Sequence, residues 1–133
     1  MAYWLLKSEP GSWSWADQLA AHETRWDGVR NAQALSNMRK MAPGDRAFFY
    51  HSGKERAIVG LVAISRSFYP NPEDAKSGLV DVTSVQSMPQ PVSLSAIKVD
   101  PAFESLALVR QPRLSVMPVP DDLAQKLLKI AGL

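Results

Sequence analysis

Short apolar runs alternate with polar turns in the first third of the chain, which predicts a mixture of short strands and short helices. The predicted elements are a strand at 3–7, a helix from Ser12 or Ser14 to about Ala21, a brief strand at 24–26, and a helix capped by Asn31 that ends near Met41. In the first helix the spacing places Trp15 and Leu19 on the buried side, with Ala16 beside them.

From residue 45 onward the period changes to that of strands, with helical turns returning near the end. The predicted elements are strands at 45–52, 57–68, 79–85 and 113–116, an exposed loop at 70–78, helical turns over 93–108, and a closing helix at 121–131 followed by Gly132. Five or six strands and several short helices favour an α+β fold. The length of 133 residues and the lack of a linker predict a single domain spanning 1–133.

Composition excludes several classes of protein. The chain has no cysteine, so disulfide scaffolds, thiol nucleophiles and cysteine-based metal sites are excluded. Phosphate-loop, dinucleotide, zinc-protease and serine-hydrolase motifs are missing, and we expect neither a metal nor a cofactor. The longest apolar run, 57–64, is far shorter than the ~20 residues of a membrane helix. We therefore expect an intracellular protein, cytoplasmic if bacterial, with no signal peptide and no membrane partner.

Tryptophan and positive charge are concentrated in the N-terminal half. All four tryptophans, Trp4, Trp13, Trp15 and Trp26, fall within the first 26 residues, and nine Lys and Arg stand against six Asp and Glu up to residue 66. This bias hints at a nucleic-acid surface. Trp4 and Trp15 are expected in the core and Trp26 at a ligand, whereas the role of Trp13 is left open.

Four segments place polar side chains where a strand ends or a helix begins. They are Lys7-Ser8-Glu9, Trp26 to Asn31, Tyr50-His51-Ser52, and the alternating pair Arg113 and Ser115. The free N–H groups at the start of a helix after Asn31 can meet an anion or a polar ligand. Each segment also has an ordinary structural interpretation: a surface turn, a packed tryptophan with an N-cap, a strand entering solvent, or a half-buried strand.

Taken together and in order, these segments resemble the EVE domain family. The resemblance covers essentially the whole chain, and its motifs are YWLLKSEP at 3–10, WDGVRN at 26–31, GD at 44–45, FFYHS at 48–52, IVG at 58–60, VDV at 80–82 and RLSV at 113–116. It implies a PUA-like fold, a bent β-barrel of five or six strands flanked by short helices. It also implies a relation to YTH domains, which bind methylated adenine in RNA.

The resemblance further implies a non-enzymatic domain that recognises a modified nucleobase, chiefly modified cytosine in DNA, with DNA favoured over RNA as partner. By analogy with YTH domains, Lys7, Ser8 and Trp26 line the pocket. The full set of expected ligand-binding residues is Lys7, Ser8, Glu9, Trp26, Arg30, Asn31, Tyr50, His51, Ser52, Arg113 and Ser115. Among them, Arg30 and Arg113 are the favoured phosphate contacts.

The sequence departs from the family pattern just before the Val80-Asp81-Val82 strand. A tryptophan commonly stands there, whereas this chain has Lys76-Ser77-Gly78-Leu79. The last helix also lacks the tryptophan often found near its start. If the first of these tryptophans helps to enclose ligand, the pocket is looser or different in this chain.

Two other functions stay open. The related ASCH domains include small amidohydrolases, and Lys7, Ser8 and Glu9 could imitate their lysine, hydroxyl and carboxylate groups on a modified nucleoside, although consecutive strand residues do not all face one substrate. The second open function is an RNA-binding accessory module that contacts the nucleic-acid backbone more than the base. The oligomeric state is not predicted.

Overall fold

The computed structural model describes all 133 residues and contains one six-stranded mixed sheet. The strands are β1 (Tyr3–Ser8), β2 (Glu23–Trp26), β3 (Arg46–His51), β4 (Ala57–Pro70), β5 (Gly78–Ser93) and β6 (Val116–Val119). The helices are α1 (Trp15–Ala21), α2 (Ala32–Arg39), α3 (Leu94–Val99), α4 (Ala107–Arg110) and α5 (Asp121–Ile130), with a 3₁₀ turn at Pro101–Phe103. The predicted α+β class is confirmed.

The sheet has the strand order β2-β5-β4-β3-β1-β6. β1 pairs with β3 in parallel, and every other pairing is antiparallel. The long hairpin of β4 and β5 contains four register shifts, which bend the strands and let the sheet curve around its core. The parallel pairing places the ends of β1 and β3 side by side, with Ser8 opposite His51.

The core lies within the curve of the sheet and beneath the helices. Phe48 and Phe49, neighbours on β3, are both fully buried, and because strand residues alternate in direction they pack on different neighbours. The Phe48 ring stacks on Tyr3 with centroids 5.9 Å apart. The Phe49 ring meets Trp15 at 5.1 Å and Trp26 at 5.5 Å. Phe49 therefore links β3 to α1 and to the end of β2.

A buried carboxylate joins the beginnings of β1 and β3. Asp45 accepts hydrogen bonds of 3.0 Å from the Ala2 amide, the Ala42 amide and the Trp4 indole Nε1. Burial of Asp45 opposes ionisation, but these three donors together with the N-terminal charge outweigh it and hold the pKa of the carboxyl below its usual value. Asp45 is therefore a structural anion.

Helix starts were predicted better than strand ends. Of the two caps predicted for α1, Ser14 is the one used and accepts from the Asp17 amide, and Asn31 caps α2 as predicted by accepting from the Ala34 amide. The strand predicted at 113–116 was wrong, because a turn closed by the Leu114 N–H and the Gln111 carbonyl delays β6 to Val116. Likewise β5 continues to Ser93, beyond the predicted end at 85.

The buried side of α1 was also predicted wrongly. Leu19 is 48% exposed, and Ala16 is exposed as well, whereas Gln18 is fully buried. The Gln18 side-chain amide accepts from the Trp13 indole and donates to the His22 carbonyl. A polar residue replaces leucine on the buried face because both ends of its amide are paired.

Candidate functional site

A cavity of about 530 Å³ opens where β1 and β2 end. Its lining consists of two tryptophans surrounded by polar and charged residues: Lys7, Ser8, Glu9, Ser12, Trp13, Thr24, Arg25, Trp26, Asp27 and Gly28. We call it the tryptophan cavity. Its volume falls in the range of about 300–1,000 Å³ that is typical of small-ligand sites.

One wall is formed by the turn that follows β1. The Glu9 carbonyl accepts hydrogen bonds of 2.9 Å from both the Ser12 and Trp13 amides, which folds the chain back across the strand end. The Ser8 hydroxyl donates to the Trp13 carbonyl and ties the turn to β1. This geometry follows from the Glu-Pro-Gly sequence and brings Trp13 over the cavity.

The opposite wall is Trp26, the last residue of β2. The residue is only 7% exposed, and its ring packs edge-on against Phe49 with an interplanar angle of 87°. Three of the four indole N–H groups donate within the protein: Trp4 to Asp45, Trp13 to Gln18, and Trp15 to Ser87. The Trp26 indole N–H donates to no protein group, and it is not sealed from solvent. It is therefore free to donate to a ligand.

The charged groups of the tryptophan cavity are only loosely paired. Asp27 has no ion-pair or hydrogen-bond partner, and Glu9 accepts a single bond of 3.2 Å from the Gly11 amide. Arg25 lies 3.8 Å from Glu73, with both side chains largely exposed. The Lys7 amine donates to the Pro112 carbonyl at 2.7 Å, and burial lowers its pKa. The cavity thus offers both acceptors and donors to a polar ligand.

Four of the eleven predicted site residues meet in this cavity: Lys7, Ser8, Glu9 and Trp26. The other seven lie elsewhere. Tyr50 and Ser52 line a second cavity that shares Lys7, and His51 lines a third. Asn31 and Arg113 line a shallow groove together. Arg30 is exposed and pairs with Asp74 at 3.2 Å, and Ser115 contributes its carbonyl to the Lys7 amide N–H at 2.9 Å.

His51 is held by the fold on both sides of its ring. Its Nε2 accepts from the Trp15 amide at 2.9 Å, and its Nδ1 contacts the Glu55 carboxylate. The ring also packs on Phe49 at 5.8 Å. His51 thereby fixes the start of α1, and with it the turn that carries Trp13.

Six lining residues were not among the predicted site residues: Ser12, Trp13, Thr24, Arg25, Asp27 and Gly28. For Trp13 a signal was present, because a Pro-Gly turn followed within three residues by a helix cap at Ser14 leaves residues 12 and 13 in a tight turn beside the strand end. For Thr24, Arg25 and Asp27 the neighbourhood of Trp26 was the signal, since strand ends present consecutive residues around a cavity mouth.

The position of the missing family tryptophan does not border the tryptophan cavity, because none of residues 76–79 lines it. Gly78 instead lies beneath the Phe68 ring, where a Cβ atom would come within 2.1 Å of Phe68 Cε2. The guanidinium of Arg39 covers the same ring at 4.9 Å from its centroid. A side chain at Gly78 would therefore displace Phe68.

No group of three or more histidine, aspartate or glutamate side chains is arranged to hold a metal ion. No helix has both the length and the apolar character required to cross a bilayer.

Comparison with known proteins places the chain among related sequences and structures. A sequence model described as the EVE domain matches residues 2–130. Thymocyte nuclear protein 1 of Rattus norvegicus is 34% identical over 90% of this chain and 69% of that protein. A crystal structure of a protein from Agrobacterium tumefaciens is 43% identical, covers 100% of this chain and 94% of that one, and superposes with a TM-score of 0.96.

Two further structures bear on the fold. The human THYN1 protein, solved in complex with 5-methylcytosine-containing DNA, is 29% identical, covers 100% of this chain and 99% of that one, and has a TM-score of 0.91. An ASCH protein from Zymomonas mobilis is 11% identical, covers 98% and 99% of the two chains, and has a TM-score of 0.66, a likeness of fold alone. The predicted PUA-like fold is confirmed.

Proposed function

Since the chain belongs to the EVE domain family, we propose that it is a non-enzymatic domain that binds DNA carrying a modified cytosine and takes the modified base into the tryptophan cavity. The structure of the human relative with 5-methylcytosine-containing DNA supports the choice of partner. The observation that carries the proposal for this chain is the free indole N–H of Trp26, a buried residue at the cavity wall.

A base that leaves the DNA stack needs a replacement surface. Extrusion costs on the order of a few kcal/mol, and stacking on an aromatic side chain returns about 1–3 kcal/mol per base. Trp13 and Trp26 are the only apolar residues of the cavity lining. Trp13 supplies that stacking face, whereas Trp26 meets the edge of the base, because its N–H lies in the plane of the indole ring. Single-stranded or mismatched DNA is favoured because its base is already partly unstacked.

Cytosine fits the polar groups of the cavity better than thymine does. Cytosine carries an exocyclic amino donor, which Asp and Glu accept well, and a ring carbonyl that needs a donor. The unpaired Asp27 carboxylate and the Glu9 carboxylate are the acceptors, and the Trp26 indole N–H is the donor. Thymine has a carbonyl in place of the amino group, so it would face a carboxylate with no proton between them.

The methyl group itself adds little affinity. Burying one methyl-sized group is worth about 0.8 kcal/mol, or roughly fourfold in affinity. The tryptophan rings are the apolar surfaces that this methyl group would touch. We therefore expect a modest preference for 5-methylcytosine over cytosine and a larger one for cytosine over thymine.

Fluorescence anisotropy with labelled single-stranded oligonucleotides tests this function. The oligonucleotides differ at one central base: 5-methylcytosine, cytosine or thymine. We expect 5-methylcytosine to bind about fourfold tighter than cytosine and more than tenfold tighter than thymine. Equal affinity for all three bases would overturn the proposal.

Trp26→Phe removes the free N–H but keeps an aromatic ring against Phe49. We expect it to weaken binding of the 5-methylcytosine oligonucleotide by about tenfold, because one buried donor to the base is lost. The matched control is Trp4→Phe, which removes an indole N–H that already bonds to Asp45. That control lowers stability without changing base preference among folded molecules; loss of preference in the control alone would contradict the assignment.

The amidohydrolase alternative predicts a different outcome. Lys7 donates to the Pro112 carbonyl and Ser8 donates to the Trp13 carbonyl, so the two groups share no hydrogen bond. Release of free amine from an N-acylated cytidine, abolished by Lys7→Ala, would favour the enzyme. A steep salt dependence with no base preference, on RNA as on DNA, would instead favour the backbone-binding module.

A further inference from the structure

We propose that a second cavity, which shares Lys7 with the tryptophan cavity, binds a phosphate group, and that this phosphate belongs to the DNA backbone next to the base bound under the proposed function. We call it the cationic cavity. Its volume is about 290 Å³, and its polar lining comprises Lys7, Tyr50, Ser52, Arg56 and Lys98.

The charge of the cationic cavity is unbalanced. Three cations line it and no carboxylate does. None of the three takes part in the five ion pairs of the protein. Three positive groups around one small cavity repel each other, and a bound anion relieves that repulsion. The cavity is therefore complementary to an anion of small size.

Tyr50 supplies a neutral donor within this cavity. The residue is only 3% exposed, it lines the cavity, and its hydroxyl has no hydrogen-bond partner in the protein. Burial raises the pKa of the phenol, and the charge of Arg56 opposes this only in part, so the hydroxyl keeps its proton. The hydroxyl is therefore not sealed in the core but opens into the cavity, and among three lining cations it is suited to donate to an anionic oxygen.

The backbone holds Arg56 beside the cavity. Arg56 adopts a left-handed conformation with φ of 50°, which residues with a Cβ rarely adopt. Its Nε donates to the Gly53 carbonyl at 3.0 Å, and its carbonyl accepts from the Leu94 amide at 2.8 Å. These bonds keep the guanidinium near Tyr50 before any ligand arrives, which reduces the entropy lost on binding.

Lys7 connects the two cavities. It lines both, its amine lies 5.8 Å from the centre of the Tyr50 ring, and it bonds to the carbonyl of Pro112, which also lines the cationic cavity. A nucleotide whose base enters the tryptophan cavity extends its sugar and phosphate past the end of β1. Because Lys7 stands at that point, the neighbouring phosphate reaches the cationic cavity.

Tyr50→Phe is the sharpest variant, because it removes one oxygen atom from a buried ring that otherwise stays packed. We expect the affinity for the 5-methylcytosine oligonucleotide to fall by about tenfold, as for loss of a hydrogen bond to a charged group. The matched control is Tyr3→Phe, a similarly buried tyrosine whose hydroxyl meets only Gln125 at 3.5 Å. We expect no loss of affinity from that control.

Lys98→Gln tests the charge of the cavity separately from the hydroxyl. It should weaken binding severalfold for every base and lower the slope of log affinity against log salt by about one. Lys129→Gln is the matched control, because Lys129 is exposed on α5 and has no ion pair. Equal effects of the two substitutions would show only a general charge effect and would overturn the site.

Oligonucleotides with a single neutral methylphosphonate identify the phosphate. One position beside the modified base should weaken binding to the unmodified protein about tenfold and to Tyr50→Phe less than about threefold, because the contact is already lost. If a methylphosphonate at every position weakens the binding of both proteins equally, the cationic cavity holds no backbone phosphate.

Inorganic phosphate and deoxycytidine 5′-monophosphate then test whether the cavity binds a free ligand. Competition by either compound at millimolar concentration, lost in Tyr50→Phe, assigns the cavity to a small phosphate compound.

The outcomes separate this inference from the proposed function. Base preference that persists in Tyr50→Phe and Lys98→Gln with unchanged affinity leaves the function standing and overturns the phosphate site. Reduced affinity in both variants without any base preference in the unmodified protein supports the phosphate site and overturns the function.

Discussion

The two ends of β1 hold the same pair of groups, an indole and a carboxylate, in opposite states. At the beginning of the strand the Trp4 indole donates to Asp45, whose carboxylate also accepts from two amides. At the far end the Trp26 indole and the Asp27 carboxylate line one cavity and have no partner within the protein. The first pair stabilises the fold and the second is available to a ligand.

The difference follows from the cost of leaving a buried polar group unpaired. Such a group costs about 1–3 kcal/mol, so it is retained where a partner or solvent reaches it. Asp45 is 6% exposed and needs all its donors, whereas Asp27 is exposed and needs none. Removing the Asp45 and the Asp27 carboxylates in turn therefore tests which end of β1 stabilises the fold and which end binds ligand.

The largest expected effect is on stability. Asp45→Ala leaves the Trp4 indole and the Ala2 and Ala42 amides without an acceptor, so we expect a loss of about 3 kcal/mol in the free energy of unfolding. Urea denaturation measures it. Asp27→Ala is the matched control and should change stability by less than about 0.5 kcal/mol. Equal losses for both substitutions would remove the distinction between the two ends.

A smaller effect is expected on the stability of the protein at acidic pH. Because the pKa of folded Asp45 lies below its usual value, its ionisation stabilises the protein fully above about pH 5, and that contribution is lost as pH falls through the folded pKa. The neutral carboxyl still accepts hydrogen bonds, so the loss is smaller than in Asp45→Ala. Urea midpoints between about pH 6 and pH 2.5 should fall more steeply in the unmodified protein than in Asp45→Asn.

The difference in pH dependence between the unmodified protein and Asp45→Asn reports on Asp45 alone, because the other carboxyls are the same in both proteins. The pKa of Asp100 is also lowered, first by the Ala102 amide and then by Lys126, but Asp100 is present in both proteins and cancels in the difference. Parallel profiles for the two proteins would show that the contacts with Ala2, Ala42 and Trp4 do not lower the pKa of Asp45.

The smallest expected effect is on binding at the other end of the strand. Asp27→Asn offers an amide, which accepts from the cytosine amino group more weakly than a carboxylate does. We expect about fivefold weaker binding of the 5-methylcytosine oligonucleotide and a reduced preference over thymine, with unchanged stability. Asp122→Asn, at an exposed carboxylate on α5, is the control. An increase in affinity would show that Asp27 repels phosphate and does not contact the base.

Local signals explain which parts of the fold could be predicted. Caps at Ser14 and Asn31 depend on bonds to amides three residues ahead, so the sequence nearby contains all the information. The end of β5 depends on distant pairing. Its last residues include Pro89 and Pro91, which interrupt a strand pattern, yet pairing of Ile58 with Val92 and of Ala57 with Ser93 continues the ladder past a bulge.

The same limit applies to the site. Lys7, Ser8, Glu9 and Trp26 were brought together by the family resemblance, and they do meet in one cavity. Tyr50 was predicted on the same pocket, but alternation along β3 turns it away from Phe49 and toward the cationic cavity. Sequence motifs mark which residues lie near the end of β1; they do not say on which side of the sheet each side chain points.

The unequal pairing of the four indoles makes the protein its own spectroscopic reporter. In a ¹⁵N-correlated NMR spectrum each tryptophan gives one indole resonance, and three of them arise from N–H groups with fixed acceptors inside the protein. The Trp26 proton, without an acceptor, should exchange with water the fastest. A ligand in the tryptophan cavity slows that exchange and shifts that resonance, so occupancy is visible without a label on the DNA.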